Sequence, residues 1–407
     1  MKISIITSID DFYSLKPAWN TILAQNNEHN LYYSHDWYSA ILSFCKLPIC
    51  SLFILCVQHA GQIIAVFPCC MVKNKPRLIQ YNSIEFIGNI YSAYRGGVVL
   101  KGMEAAVAKA VTDFLLKNRR MWDILYLEGI PASDPFLNAL QKSFKDRRII
   151  SRTVEQYANM VVDIKSGMCS ADYWKSRKKH LRQHVHRYMN RMSREGRFNV
   201  LLTTHSARNI HAAMDHYDDI YANSWKEPEC EPLFHRKLAD YLSERNQFRL
   251  FTLYFQKNES IPSANVSASP SCCECDMTPC QCTRDGYFPI ATAYCAVNGS
   301  YACILKTAYR QDHATYSAGT VLTWFVIQWL LDQDRVSVID FQKDGDAYKY
   351  KWGRFNDMHM LFKAASPISP MANLETWGEK TVIPLLREKG LIPKLACRII
   401  PKTADPQ

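Results

Sequence analysis

The apolar positions of this 407-residue chain change period repeatedly, and the changes mark its elements. Met1–Thr7 is a short apolar run ended by Asp10 and Asp11, which predicts an opening strand. Phe12, Leu15, Trp19, Ile22 and Leu23 then recur at helical spacing within Asp10–Gln25. Ser34 can cap a second helix carrying Trp37, Ile41 and Phe44. Ser51–Gln58 and Gln62–Val72 predict a hairpin about Ala60-Gly61, and Ile84–Ile87 a further strand. After a loop with Arg95-Gly96-Gly97 comes a helix over Met103–Leu116, ending in the basic run Lys117–Arg120. Trp122–Glu128 predicts a strand, Pro135–Lys145 a helix and Tyr157–Asp163 a strand.

The second half follows the same order. One helix is predicted over Ser170–Glu195, a strand over Phe198–Leu202, and helices over Ser206–Asn223 and Pro232–Glu244. Strands follow at Phe248–Phe255, Ile290–Val297 and Ser300–Ala308, the last two joined across Asn298-Gly299. Ala318–Gln333 is a long apolar helix and Val336–Phe341 a strand. The order of elements recurs while the residues do not, which predicts an internal duplication. The expected class is α/β with mixed sheets: one unit over 1–160, a second over 161–362 interrupted by an insertion at 256–287, and an appendage over 363–407.

Composition adds bounds. Apolar residues make up 48% of the chain, enough for large cores. The most apolar stretches, Leu47–Val57 and Val321–Leu331, fall short of the roughly 20 residues that span a bilayer. With no secretory pattern at Met1–Thr7, the expectation is a soluble, cytoplasmic protein whose 15 Cys are mostly reduced, small apolar residues. The net charge of +11 is concentrated. Between Tyr173 and Arg197 stand nine cations, including Arg177, Lys179, Arg182, Arg187, Arg191 and Arg194, against Glu195 alone. Trp174, Leu181, Val185, Tyr188 and Met192 form one apolar stripe on that helix. Such a helix either packs its stripe and solvates its charges, or meets an anion with Arg177, Lys179 and Arg182. The anion could be a phosphate, a carrier protein, a tRNA or a membrane surface.

Two stretches carry a family resemblance: YRQDHATYSAGTVLTW over Tyr309–Trp324, and VIDFQKDGDAYKYKWG over Val338–Gly353. Together they resemble the C-terminal half of the CelD-like (or BioF-like) acetyltransferase group of the GNAT superfamily, related to the Fem-type transferases. The resemblance is carried by a tyrosine-rich loop, a small-Gly turn opening a helix, a strand ending in Asp, and Gly345, Asp346, Tyr348, Lys349 and Trp352. It implies two tandem GNAT-like units with a cleft between them. It also implies acyl transfer from acyl-CoA, as co-substrate, or from an acyl carrier to a small-molecule, saccharide or peptide acceptor. Two other outcomes stay open. One is a Fem-type aminoacyl-tRNA-dependent transferase. The other is an inactive GNAT-like binding module in envelope polysaccharide assembly.

The physics of these residues gives candidate roles. Tyr316, Ser317, Ala318, Gly319 and Thr320 lie at the start of an apolar helix, where bare amides and the helix dipole favour a phosphate. An ordinary helix start would need no ligand. Asp346 is a candidate base, Tyr348 a proton donor, Lys349 a phosphate or oxyanion partner, and His313 a further base. Trp225, Asp340 and Trp352 are candidates for substrate contact. No Ser or Cys sits in an activating motif, so direct attack is expected rather than a covalent enzyme. The insertion's Cys273, Cys275, Cys280 and Cys282 could hold zinc, although one residue between paired Cys is tighter than usual zinc spacing. His180, His184 and His186 read as incidental to the basic helix rather than as ligands.

Overall fold

The computed structural model describes all residues except 46–49, 75–80, 163, 206, 259–278, 344–346 and 379–407. Its frame is an eleven-stranded sheet. In chain order the strands are β1 (Cys50–Leu52), β2 (Cys69–Asn74), β3 (Tyr81–Phe86), β4 (Ile124–Pro131), β5 (Ser151–Val162) and β6 (Gly196–Thr203). They continue with β7 (Phe248–Lys257), β8 (Phe288–Asn298), β9 (Tyr301–Tyr309), β10 (Val338–Lys343) and β11 (Gly353–Ala365). Their order across the sheet is β6-β7-β8-β9-β10-β5-β11-β4-β3-β2-β1. A separate four-stranded sheet joins Lys2–Ile6, Ile54–His59, Gln62–Phe67 and Val98–Val99. The single hairpin expected over Ser51–Val72 therefore serves two sheets, breaking at Phe53 and at Pro68, which has no N–H to pair.

The duplication is visible in the backbone. Each half holds one parallel strand pair, registered over three residues: Ser83–Glu85 with Ile124–Tyr126, and Tyr301–Cys303 with Val338–Asp340. A helix connects each pair, Glu104–Lys117 in the first half and α5 (Ala318–Asp332) in the second. The last strand of each half then crosses over. β5 pairs with β10 of the second half, β11 pairs with β4 of the first, and the two lie side by side. β11 has no counterpart among the expected elements, and Lys363–Ala365, placed in the appendage from sequence, ends it. Its run Gly353–Ala365 mixes Arg354, Asn356, Asp357 and His359 with apolar residues, so no clean period marks it.

The remaining labelled helices are α1 (Ser170–Ser176), α2 (Lys179–Glu195), α3 (Ala207–Ala222) and α4 (Pro232–Ser243). The helix expected to be continuous from Ser170 breaks at Arg177, which is extended (φ −76°, ψ 153°). There the Arg177 guanidinium donates to Trp352 O at 3.1 Å and lies over the Tyr173 ring. Beyond the break the apolar stripe packs as read: Leu181, Val185 and Met192 are buried. α5 is apolar on nearly all sides and is buried accordingly. One aromatic core joins the halves, with Trp37 edge-on to Phe234 at 5.7 Å and Tyr91 stacked on the same ring at 5.4 Å. No helix among the described residues is long and apolar enough to cross a membrane.

The halves also meet at Asp340, the last residue of β10 paired with β9, which is fully buried. Its carboxylate accepts from Tyr94 Oη at 2.5 Å, Asn159 Nδ2 at 2.8 Å, the Gln342 amide at 2.5 Å and the Tyr301 hydroxyl. Two donors come from the first half and two from the second. A buried carboxylate is tolerated when donors satisfy it this fully. Burial, with the Asp340 charge second, pushes the Tyr94 and Tyr301 phenols well above their usual range, so both stay protonated donors. Removing one donor leaves a charged acceptor short of a partner. Tyr94→Phe is therefore expected to cost about 1.5–3 kcal/mol, and Asp340→Ala about 3–5 kcal/mol, in chemical denaturation at pH 7. Unchanged midpoints in both would mean that this carboxylate does not hold the halves together.

Candidate active site

Past Asp340, β9 and β10 stop pairing. β9 runs on to Tyr309 hydrogen-bonded to β8, while β10 turns to pair with β5. The turn has a local cause: Gln342 is left-handed (φ 63°), and the ladder shifts register between Asp340 and Gln342. The Gln342 side-chain amide reaches back across the opening to Ile304 O at 2.8 Å, satisfying a carbonyl that lost its strand partner. A cleft of ≈ 160 Å³ results. Its walls are Ile304–Thr307 of β9 and Phe341–Lys343 of β10, with Tyr348 and Lys349 beyond, and Trp37, Ile90 and Tyr91 from the first half.

The cleft is cationic. Lys226, Lys306, Lys343 and Lys349 all line it. Burial, then the Arg95 charge, lowers the Lys343 ammonium to about 8. Lys306 Nζ stands 3.4 Å from Glu229 Oε1 and lies over the Tyr91 and Tyr221 rings. Lys349 Nζ donates to Lys343 O at 2.5 Å. Trp37 is 1% exposed, and its indole Nε1 has no partner among the described residues.

At one end of β9 the chain enters a 3₁₀ turn, Gln311–Tyr316, and then α5. Ser317 is left-handed (φ 48°) at the helix start, and no side chain caps it. The first turn of α5 carries no acid. The turn is pinned from outside by α2: Arg191 donates to Thr315 O at 3.0 Å, and Tyr316 Oη to Glu195 at 2.7 Å. Tyr309, whose ring lies tilted against Trp225 at 4.3 Å, lies against Gly319. Thr307, two residues back on the same strand face, meets Tyr348 Oη at 3.3 Å. Tyr348 and the start of α5 are thus linked along one face of β9.

The first half keeps its corresponding gap shut. Between the ends of β3 and β4, Arg95 packs so closely on Gly88 that any side chain there would collide with its guanidinium. That guanidinium donates to Asn89 O at 3.0 Å and pairs with Glu128. The connecting helix has Glu104 in its first turn, whose carboxylate takes the Gly102 amide at 3.1 Å.

Tyr348 and Lys349 thus line the cleft, with Ser317–Thr320 at the far end of its β9 wall and exposed Trp225 beside Tyr309. Asp346 lies outside the described residues, as do Cys273 and Cys275 and the side chain of Cys280. The other candidates lie as follows. Asp340 is enclosed, with its carboxylate taken by protein donors. Trp352 is 1% exposed, packed toward Trp174. His313 pairs with Asp312 at 2.8 Å outside the cleft lining; with Arg310 the larger influence, these partners hold the Asp312 carboxyl down at about 2. Arg177 is spent on Trp352 O, while Lys179 is exposed and Arg182 Nε is buried without a partner among the described residues. Cys282 is buried beside Leu201 and Tyr254. No three His, Cys, Asp or Glu side chains converge as a metal site among the described residues.

Sequence reasoning missed Trp37 as a cleft residue, Lys306, Lys343, Glu229 and His235. Each sat in a segment read only as strand, loop or helix start, and the two halves meet only after folding.

Residues 275–350 match the family model for the acetyltransferase (GNAT) domain, a segment that ends just past Tyr348. No curated protein matches the chain. Among solved structures, FemX has the same fold, with a TM-score of 0.52 at 9% identity, covering 89% of this chain and 97% of that one. A tandem GNAT protein from the clavulanic acid biosynthesis pathway covers 90% and 98% at 11% identity, TM-score 0.45. L-PGS from Bacillus licheniformis covers 93% and 98% at 10% identity, TM-score 0.47. The fold is two tandem GNAT-like units.

The lowered Lys343 ammonium gives a direct check. Burial disfavours the charged form, so Lys343 becomes a free amine earlier than exposed lysines as pH rises. Competitive acetic anhydride labelling, read by peptide mass, is expected to reach half-maximum at Lys343 near pH 8. Labelling that rises only with the surface lysines would contradict this cleft environment.

Proposed function

We propose that the chain is an acyltransferase carrying an acyl group from an acyl-CoA thioester to the amine or hydroxyl of an anionic acceptor. The observation that carries this reading is the contrast between the halves: the second keeps its gap open beside an uncapped helix start, and the first fills its gap. The donor's extended arm would lie along β9, where the opening frees strand edge for it. Its phosphates would rest on the amides at the start of α5. Tyr348 would protonate the leaving sulfur, and the cleft lysines would draw the acceptor's anionic group. The GNAT match spans β8, β9, α5 and β10, the elements that frame this site.

Direct attack fits better than a covalent enzyme. Cys303 adjoins Ile304 of the cleft wall, but burial, with the Asp340 charge next, pushes it well above its usual range. A thiolate would be disfavoured there. A Fem-type reading, with aminoacyl-tRNA as donor, is favoured by one observation: the cationic face of α2 adjoins the turn that precedes α5.

Calorimetry with acetyl-CoA and a long-chain acyl-CoA tests the donor. Both wild-type heat and its weakening in Thr320→Glu are expected. An acid in the first turn suits the helix dipole and should preserve folding, yet it repels phosphates. The expected loss is about tenfold in affinity, roughly 1.4 kcal/mol. Absence of heat with any acyl-CoA would refute the proposal, and salt-sensitive co-purifying RNA would then favour the Fem-type reading.

A further inference from the structure

The cleft is lined by a buried imidazole backed by an acid, a pair that no sequence motif announces. Glu229 lies in the loop before α4, and His235 in its first turns. His235 is 2% exposed and lines the cleft, and its Nδ1 stands 3.1 Å from Glu229 Oε2. The other carboxylate oxygen accepts from Tyr217 Oη at 3.0 Å and faces Lys306 Nζ at 3.4 Å. Glu229 can accept from Nδ1 only if that nitrogen carries the proton, which fixes the tautomer and leaves the Nε2 lone pair for another partner. Nε2 has no partner among the described residues. The ring is held by Tyr91 at 4.5 Å, Tyr294 at 5.7 Å and Tyr217 at 6.2 Å.

We infer that His235, oriented by Glu229, is the proton acceptor for the attacking amine or hydroxyl in this cleft; the inference rests on the acyl-transfer reading above. The acceptor's lone pair forms a bond to the acyl carbon, and its proton passes to Nε2. The carbon–sulfur bond breaks, and sulfur leaves with the electron pair and takes the phenolic proton of Tyr348. The imidazolium then returns its proton to the phenolate, so the enzyme ends as it began.

The electrostatics suit a base at neutral pH. The charged groups facing the ring are Glu229, Lys306 and, farther off, Asp218. Burial dominates and lowers the imidazole below its ordinary range, although the Glu229 hydrogen bond opposes this. His235 is therefore neutral at pH 7. Activity depending on it should fall as pH drops through that lowered value, below about 6.5.

The test uses the full chain, acetyl-CoA as donor and hydroxylamine as a small acceptor, following release of the CoA thiol. His235→Asn keeps an N–H where Nδ1 stands, so Glu229 retains its donor, and it removes Nε2. The expected outcome is a fall in kcat of about 10²–10⁴-fold. The KM for acetyl-CoA should stay within about threefold, and the acid limb of kcat/KM should vanish. If the variant does not fold, diethyl pyrocarbonate on the wild type decides: loss of activity must track His235 modification read by peptide mass. A variant that keeps its kcat, or a wild type that keeps its rate once His235 is modified, overturns the base assignment alone. A wild type that releases no thiol overturns the transferase reading, and this assignment falls with it.

Discussion

A fully buried carboxylate at Asp340 accepts four hydrogen bonds at the point where β9 and β10 separate. Two of its donors belong to each half of the chain. The interaction does two jobs through one group. It ties the halves together, and it sets the angle at which β10 leaves its parallel neighbour. The left-handed Gln342 and its amide bond to Ile304 O complete the divergence. Without that geometry there would be no edge of β9 for a ligand to meet.

Duplication gives the chain two such openings, and the two have been used differently. Arg95, Glu128 and Gly88 close the first. The second keeps its space, an uncapped helix start and a ring of lysines. The first half still contributes Trp37, Ile90 and Tyr91 to the wall. The exchange of β5 and β11 between halves makes this sharing stable, because neither unit can complete its sheet alone. The same exchange explains why the aromatic core around Trp37 and Phe234 belongs to both units.

Much of the fold was legible. The helical stripe from Leu181 to Met192, the hairpin at Asn298-Gly299, the apolar α5 and the recurring order of elements follow from period and turn chemistry. β11 was not legible, because a strand between two others near the sheet's middle still presents mixed residues along Arg354–His359. The site was readable where it is local in sequence. Ser317–Thr320 and Tyr348-Lys349 announce themselves as a helix start and a post-strand loop. His235, Lys306 and Trp37, with Glu229 behind His235, do not, since only folding brings them together. Asp340 was noticed for its place at a strand end, but its burial among donors from both halves is something sequence does not display.

Acyl transfer by this chain requires the gap between β9 and β10 to seat an activated acyl group. A crystal structure with a non-hydrolysable acyl-CoA analogue measures this directly. The thioester mimic is expected between Ile304–Thr307 and Phe341–Lys343, with the pyrophosphate on the amides that open α5. An analogue bound elsewhere, with this gap left to solvent, would contradict it.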